Sequence, residues 1–252
     1  MHLNLKWKRW QNKHYMFEQW RQEKRRKPTL RWWAFLRDMF LRQISTLPKS
    51  STGLCLDVGC GTGEYLCRLV KQGQYKGIGL DPLKESSLKV FKHRIEGSNL
   101  SNEIGLINAV GEYLPIKEDC VQLCIMTAAL DHVNNPNQTL KEIQRVLALD
   151  GYFMLLQSVV RTKKPNFKEE MHLNDFTMAD LKRLLKPFRI EKIRSLFPIP
   201  LRIPLPDKLL GSLKIYEILT RIHGIIASFL LRFFPTYTKK FNYSVAIVKS
   251  KP

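Results

Sequence analysis

One segment, Leu56–Glu64 with the sequence LDVGCGTGE, constrains the fold of this chain more than any other feature. A short apolar run precedes its three glycines, and apolar residues at helical spacing follow them. Glycine lets a backbone turn sharply and approach a bound ligand closely. The segment therefore predicts a buried strand, a glycine-rich turn and a helix, with a ligand held at the turn.

The spacing of the glycines argues against a dinucleotide site. Gly59, Gly61 and Gly63 form a GxGxG pattern. Glu64 stands where a dinucleotide fingerprint has glycine or alanine. Asp57, two positions before the first glycine, fits poorly beside a pyrophosphate. The same carboxylate fits well beside a cationic ligand, so the turn predicts a ligand with positive charge.

A second motif follows at Gly77–Pro82, with the sequence GIGLDP. Asp81 closes the second predicted strand, 18 residues after Gly63. A carboxylate at this place can accept hydrogen bonds from both hydroxyls of a ribose. The two motifs, in this order and at this spacing, predict a nucleoside-containing cofactor.

Strands and helices alternate through the middle of the chain. The apolar runs predict strands over 54–58, 77–80, 104–107, 121–126, 152–156, 188–196 and 243–248. Helical spacing and a variant of the capping box predict helices over 64–71, 84–95, 137–148 and 177–186. Such alternation is typical of a parallel sheet covered on both faces.

Two flanks carry most of the positive charge. The net charge is +20, and residues 1–50 contribute +10 of it through 13 basic and 3 acidic side chains. This basic N-terminal extension holds all five tryptophans and predicts a helix over 30–46, before a domain at 51–252. Residues 197–241 predict an apolar helical insertion before the last strand. Basic flanks favour polyanionic partners, such as nucleic acid, an anionic membrane surface or an acidic substrate.

The cysteines and the N-terminal sequence indicate a location. The five cysteines form no CxxC pair and no zinc-ligand spacing, so we expect reduced thiols and no metal site. The N-terminus lacks the apolar core of a signal peptide, and the longest apolar stretch is shorter than the roughly 20 residues of a membrane-spanning helix. We expect a cytoplasmic protein, with peripheral binding at the inner membrane surface.

Four segments together resemble the class I S-adenosyl-L-methionine-dependent methyltransferases. They are LDVGCGTG, GLD, the GEYLPI of 111–116 and the ALDHV of 129–133. The chain is most similar to the type 11 group, which includes ubiquinone and menaquinone biosynthesis enzymes. The resemblance covers about 54–196, and the final strand fits it too. It implies S-adenosylmethionine as cofactor and an α/β, Rossmann-like fold. Its seven-stranded, mostly parallel sheet would have helices on both faces and an antiparallel last strand.

The resemblance also implies roles for individual residues. Four would surround the methionine part of S-adenosylmethionine: Asp57, Gly59, Gly61 and Gly63. Asp81 would bind the ribose. Those against or beside the adenine would be Gly111, Glu112, Leu80 and Pro82. Val110 departs from the family, which commonly has an aspartate there to contact the adenine amine.

For methyl transfer, a protein mainly has to align the two reactants and exclude water from the pocket. A general base is needed only when the methyl acceptor must lose a proton. His132 is the best-placed base in the sequence, with Asp131 to orient it. The alternative is that His132 is a structural residue that closes the loop after the fourth strand.

The apolar insertion at 197–241 favours a hydrophobic or lipid-linked small molecule as acceptor, methylated at oxygen or carbon at the membrane surface. A second hypothesis is an RNA methyltransferase that binds RNA through the basic, tryptophan-rich residues 1–50. A third is a non-catalytic S-adenosylmethionine-binding protein, which the departure at Val110 favours.

Overall fold

A sheet with helices on both faces forms the centre of the molecule. The computed structural model describes residues 37–38, 40–47, 53–82, 85–160, 173–196 and 242–249. Its strands are β1 (Gly53–Val58), β2 (Tyr75–Leu80), β3 (Ile104–Ile107), β4 (Val121–Thr127), β5 (Leu147–Val159), β6 (Arg189–Leu196) and β7 (Asn242–Lys249). Its helices are α1 (described at 37–38 and 40–45), α2 (Glu64–Val70), α3 (Glu85–Gly97), α4 (Pro136–Val146) and α5 (Met178–Leu184). A 3-10 turn spans Leu130–His132.

The strand order within the described residues is β3-β2-β1-β4-β5-β7-β6. The pairs from β3 to β5 are parallel, and β7 is antiparallel to both of its neighbours. The chain builds outwards from β1 through β2 to β3, and then returns to the other side of β1 with β4. Ligands of open α/β sheets bind at such a reversal, beyond the carboxyl ends of the strands.

Alternate side chains of the central strands enter two separate cores. On β4, Leu123 and Ile125 join the core beneath α1, α2 and α3, while Cys124 and Met126 join the core beneath α4 and α5. Burial of both faces explains why these strands are continuous apolar runs in the sequence.

The described N-terminal residues pack on the first of these cores. Phe40, Leu41 and Ile44 of α1 are buried, and the Phe40 ring meets Tyr65 of α2 edge to face at 5.7 Å between centroids. Burying an aromatic and two aliphatic side chains accounts for the position of α1. The predicted helix over 30–46 is confirmed in its described part.

The predicted fold class is confirmed, namely a seven-stranded, mostly parallel Rossmann-like sheet with an antiparallel last strand. One junction was predicted wrongly. The helix expected over 137–148 ends at Val146, and the strand expected over 152–156 begins at Leu147. Leu147 fits both patterns because it is apolar and in register with the helix, but its backbone is extended and it pairs with Val121.

Much of both flanks lies outside the described residues. This applies to the predicted insertion at 197–241 and to residues 1–36 of the N-terminal extension. In the part of the chain that the structure describes, no helix is both long enough and apolar enough to cross a membrane.

The start of α5 provides a test of local stability. Thr177 Oγ1 accepts a hydrogen bond from the Asp180 amide, and Asp180 Oδ2 accepts one from the Thr177 amide, which forms a capping box. We expect Thr177→Ala to lower the free energy of unfolding by about 1 kcal/mol because it removes this cap. Thermal unfolding should show a Tm lower by roughly 2–4 °C. Thr177→Ser keeps the hydroxyl and is the control; an equal loss in both variants would contradict the capping role.

Candidate active site

The glycine loop lies across the end of β2. The amides of Gly59 and Cys60 both donate to the Leu80 carbonyl, at 2.7 and 3.2 Å. Gly63 then starts α2 with a left-handed backbone, at φ 70°. The loop therefore closes over the carboxyl ends of β1 and β2, at the reversal of the sheet.

The three glycines of this loop serve different purposes. A Cβ at Gly59 would lie 2.5 Å from Cβ of Ala129, and one at Gly63 would collide with the Phe91 ring. These two glycines allow the loop to pack closely on its neighbours. Gly61 has a φ of 51°, and no described atom lies within 4 Å of where its Cβ would be. Its backbone is therefore open to a ligand.

Asp81 connects the second strand to this open glycine. Its Oδ2 atom accepts a hydrogen bond from the Gly61 amide at 2.9 Å. Burial raises the pKa of Asp81 to about 6, although the bond from Gly61 opposes the shift. The carboxylate thus fixes the loop while standing at the end of β2, where the sequence predicted it.

Asp57 on β1 is the second carboxylate beneath the loop. Its residue surface is 1% exposed, and its Oδ1 atom has no hydrogen-bond partner among the described residues. Burial, followed by the negative charge of Asp81, raises the pKa of Asp57 to about 8. A buried acceptor without a donor is rare in folded proteins. A ligand carrying positive charge or hydrogen-bond donors would satisfy it.

The structure gives Gly111 and Glu112 contacts within the protein. A Cβ at Gly111 would lie 2.9 Å from Thr139 Cγ2, so this glycine allows close packing on α4. Glu112 Oε1 accepts hydrogen bonds from the amides of Asn134 and Asn135, at 2.7 and 3.0 Å. Glu112 therefore holds the loop before α4. The adenine contacts expected of this pair remain predictions.

The segment after β4 faces the glycine loop from the other side of the reversal. Ala128 has a left-handed backbone, at φ 49°, which is strained for a residue with a Cβ. The 3-10 turn that follows carries Asp131 and His132. The distance from His132 Nε2 to Asp131 Oδ1 is 3.7 Å. The predicted pair is thus brought together, with Asp131 2% exposed and the His132 side chain 18% exposed.

Sequence reasoning missed the residues that hold this turn. Ser158 Oγ donates to Asp131 Oδ2 at 3.1 Å, and the Asp131 carbonyl accepts from the amides of Leu173 and Asn174. The side-chain amide of Asn174 donates to the Val133 carbonyl at 2.7 Å. Polar residues directly after the apolar run of β5 were the available signal, because the carboxyl ends of neighbouring parallel strands meet.

Arg37 was also missed. Its guanidinium forms an ion pair with Glu64, the first residue of α2, and the Arg37 side chain is only 14% exposed. The contact joins α1 to the end of the glycine loop. Glu64, which argued against a dinucleotide in the sequence, thus has a structural partner.

The described residues include no group of three or more His, Cys, Asp or Glu side chains arranged to hold a metal ion.

The strand order, the glycine loop at the reversal and the two carboxylates below it define the class I S-adenosylmethionine-dependent methyltransferase fold. Residues 56–155 match the family described as "Methyltransferase domain". This part of the chain is a methyltransferase domain of the type 11 group, and S-adenosylmethionine is the cofactor of that class.

Curated relatives match the same region. The chain is 35% identical over 105 residues to the demethylmenaquinone methyltransferase of Lactobacillus johnsonii, which covers 41% of this chain and 43% of the relative. It is 27% identical over 146 residues to the ubiquinone/menaquinone biosynthesis C-methyltransferase UbiE of Rickettsia felis, which covers 56% and 57%. The chain therefore spans about half the length of these relatives.

Solved structures share the fold at low identity. The geranyl diphosphate C-methyltransferase of Streptomyces coelicolor A3(2) aligns with a TM-score of 0.62 at 12% identity, over 86% of this chain and 80% of that one. The [4+2]-cyclase SpnF aligns with a TM-score of 0.62 at 15% identity, over the same shares. The likeness extends well beyond residues 56–155 and concerns the fold alone.

The residues present fit S-adenosylmethionine. The backbone at Gly61 is open, Asp81 is partly exposed beside it, and the buried Asp57 Oδ1 needs a donor. The cofactor brings an ammonium group, ribose hydroxyls and a sulfonium charge, which are complementary to a doubly acidic site. Asp57 and Asp81 would hold it.

The carboxylate pair predicts an unusual dependence of stability on pH. A buried acid whose pKa is raised binds its proton more tightly in the folded state than in the unfolded state. The ligand-free protein should therefore lose stability as pH rises from about 4 through about 8. Asp57→Asn removes the charge at nearly constant shape. We expect its Tm to exceed that of the wild type by a few degrees at pH 8.5, and the difference to shrink at pH 6.

Thermal unfolding at both pH values measures this effect. Asp150→Asn, at an exposed carboxylate, is the matched control and should show no such difference. If Asp57→Asn were less stable than the wild type at pH 8.5, the buried charge of Asp57 would not destabilise the ligand-free protein, and this interpretation would be wrong.

Asp81 provides a test of cofactor binding. Asp81→Asn retains an oxygen that can accept from Gly61, so the loop should keep its conformation while the site loses a charge. Asp81→Ala loses both the oxygen that accepts from Gly61 and the charge. We expect the Kd for S-adenosylmethionine to rise roughly tenfold in the first variant and further in the second, as calorimetry would measure. Unchanged affinity in Asp81→Ala would overturn the assignment of this carboxylate to the ribose.

Proposed function

We propose that this chain transfers the methyl group of S-adenosylmethionine to a carbon or oxygen atom of a hydrophobic, prenylated or lipid-linked small molecule, of the quinol type. The observation that carries the activity is the open Gly61 backbone, bonded to Asp81 and accompanied by the buried Asp57, within a methyltransferase domain. The names of the two quinone-biosynthesis relatives support the class of acceptor. The predicted apolar insertion at 197–241 supports it from the sequence.

In this proposal, residues on one side of the reversal in strand order bind the cofactor, and residues on the other side line the acceptor site. When bound, S-adenosylmethionine supplies a methyl group on a positively charged sulfur, which already makes a good leaving group. Asp57 and Asp81 bind and orient the cofactor, and the glycine loop lets it approach the backbone. The turn after β4, packed against Gly59 through Ala129, lines the acceptor side. Alignment of the two reactants is then the main contribution of the protein.

His132 is the proposed proton acceptor. Methylation of a quinol at a ring carbon, or at a hydroxyl, releases one proton from the acceptor. His132 lies on the turn at the end of β4, and Asp131 stands 3.7 Å from its Nε2 atom. A histidine oriented by a buried carboxylate is suited to receive that proton near neutral pH.

Peripheral membrane binding through the two basic flanks belongs to the same proposal. The flanks contribute +17 of the net charge of +20, and the tryptophans of residues 1–50 suit a lipid interface. A prenylated acceptor resides in the bilayer, so a protein that binds the surface would meet it there.

The experiment is methyl transfer with defined acceptors. Purified protein and S-adenosylmethionine with a labelled methyl group are incubated with chemically reduced demethylmenaquinone in anionic vesicles, and in parallel with total RNA. We expect label in the quinol and none in the RNA. Asp81→Ala should lower the labelling at subsaturating cofactor and is the control for a specific cofactor site.

Two other outcomes would decide against the proposal. Label in RNA would make the basic N-terminal extension a nucleic-acid-binding segment and remove the lipid acceptor. Tight binding of S-adenosylmethionine with no labelled product from quinol, RNA or a whole-cell extract would favour the non-catalytic alternative.

A further inference from the structure

Glu112 supplies a negative charge to α4 from outside that helix. Negative charge stabilises the N-terminus of a helix, but the first turn of α4 carries no acidic side chain. Glu112 lies in the loop between β3 and β4 and is buried. Its Oε1 atom accepts hydrogen bonds from the amides of Asn134 and Asn135, at 2.7 and 3.0 Å. These two residues directly precede α4, so the carboxylate lies at the N-terminal end of the helix.

The same two bonds fix the far end of the turn after β4. The near part of this turn is held through its carbonyls. The Asp131 carbonyl accepts from the amides of Leu173 and Asn174, and the Val133 carbonyl accepts from the Asn174 side chain. The amides that follow are held by Glu112. Hydrogen bonds to an ionised group are stronger than those between neutral groups, so Glu112 makes the firmer of these contacts.

The backbone around Glu112 is itself anchored on α4. Gly111 packs closely on Thr139, where a Cβ would lie 2.9 Å from Cγ2. The Leu114 carbonyl accepts a hydrogen bond from the Arg145 guanidinium at 2.9 Å. The loop is therefore attached to the helix on both sides of Glu112, which holds the carboxylate at the end of the turn.

We propose that Glu112 is a positioning residue that fixes the turn after β4 for methyl transfer, through the amides of Asn134 and Asn135, rather than a contact of the adenine. The sequence predicted the adenine role, but Oε1 already serves two donors of the protein. Loss of the carboxylate would release one end of the turn that carries His132, and would leave the two carboxylates below the glycine loop in place. The inference rests on the proposed function for turnover, whereas the fixing of the turn is a property of the folded chain.

The first test compares Glu112→Ala with Glu112→Gln, which keeps an oxygen for the two amides. The alanine variant should lower kcat for the quinol acceptor roughly tenfold, because the turn loses two charge-assisted hydrogen bonds. Its Kd for S-adenosylmethionine should stay within about twofold of the wild-type value. The glutamine variant should recover most of kcat. Glu103→Ala removes an exposed acid directly before β3 and should change neither quantity.

The second test measures the fixing of the turn without turnover. Amide hydrogen exchange, followed by NMR, should be slow at Asn134 and Asn135 in the wild type and about tenfold faster in Glu112→Ala. Glu112→Gln should stay close to the wild type, and Glu103→Ala should match it. Thermal unfolding confirms that the compared proteins are folded. If the alanine variant does not fold, Glu112→Asp replaces it, because it keeps the charge but withdraws the oxygens by one methylene.

The two readouts separate this inference from the proposed function. Unchanged exchange in Glu112→Ala would overturn the positioning role, whether or not the protein methylates quinols. A Kd for S-adenosylmethionine raised about tenfold would also overturn it and would assign Glu112 to the cofactor. Faster exchange with unchanged kcat would overturn the link to turnover. Faster exchange in a protein that methylates no quinol would support the fixing of the turn and reject only the acceptor.

Discussion

The position of β1 between β2 and β4 is the constraint on which the rest of the structure depends. All three strands are parallel, so their carboxyl ends meet at one edge of the sheet. The chain leaves β1 towards β2 and later returns beside it with β4, which separates the two loops and opens a crevice. The loops still touch, because Gly59 has no side chain and admits Ala129. The residues predicted to bind the cofactor and those predicted to lie beside the acceptor come together through this arrangement.

The carboxylates below the loop show that this edge is not optimised for stability. Asp57 lies in a strand whose neighbours are apolar and buried, where a leucine would contribute to the core. Instead the strand carries Asp57, with Asp81 near it at the end of β2, and removal from water raises the pKa of both. The site is therefore strained before a ligand binds. A ligand with positive charge would offset part of the cost of burying these carboxylates.

The glycine loop and the positions of Asp57 and Asp81 could be predicted from the sequence because their signals are local. Asp57, the glycines and Asp81 each stand at the end of a short apolar run, and the alternation of strands and helices fixes where those ends meet. The sequence could not predict why Gly59 and Gly63 must each lack a side chain, since the reasons are contacts with Ala129 and with the Phe91 ring. The start of β5 was missed for a similar reason. Leu147 suits a helix and a strand equally, and only its pairing with Val121 decides between them.

The turn after β4, the predicted acceptor side, depends on contacts that no local pattern encodes. Ser158 lies 27 residues from Asp131, and Asn174 lies 41 residues from Val133, yet both pairs are hydrogen-bonded. Such contacts can change without disturbing the sheet or the glycine loop. This separation fits the solved structures, in which a [4+2]-cyclase and a geranyl diphosphate C-methyltransferase share this fold at 15% and 12% identity. One fold can host different chemistries, so the sheet alone does not determine the reaction beside it. The reaction of this chain has to be tested at the turn after β4 and its hydrogen-bond partners, such as Asp131, Ser158 and Asn174.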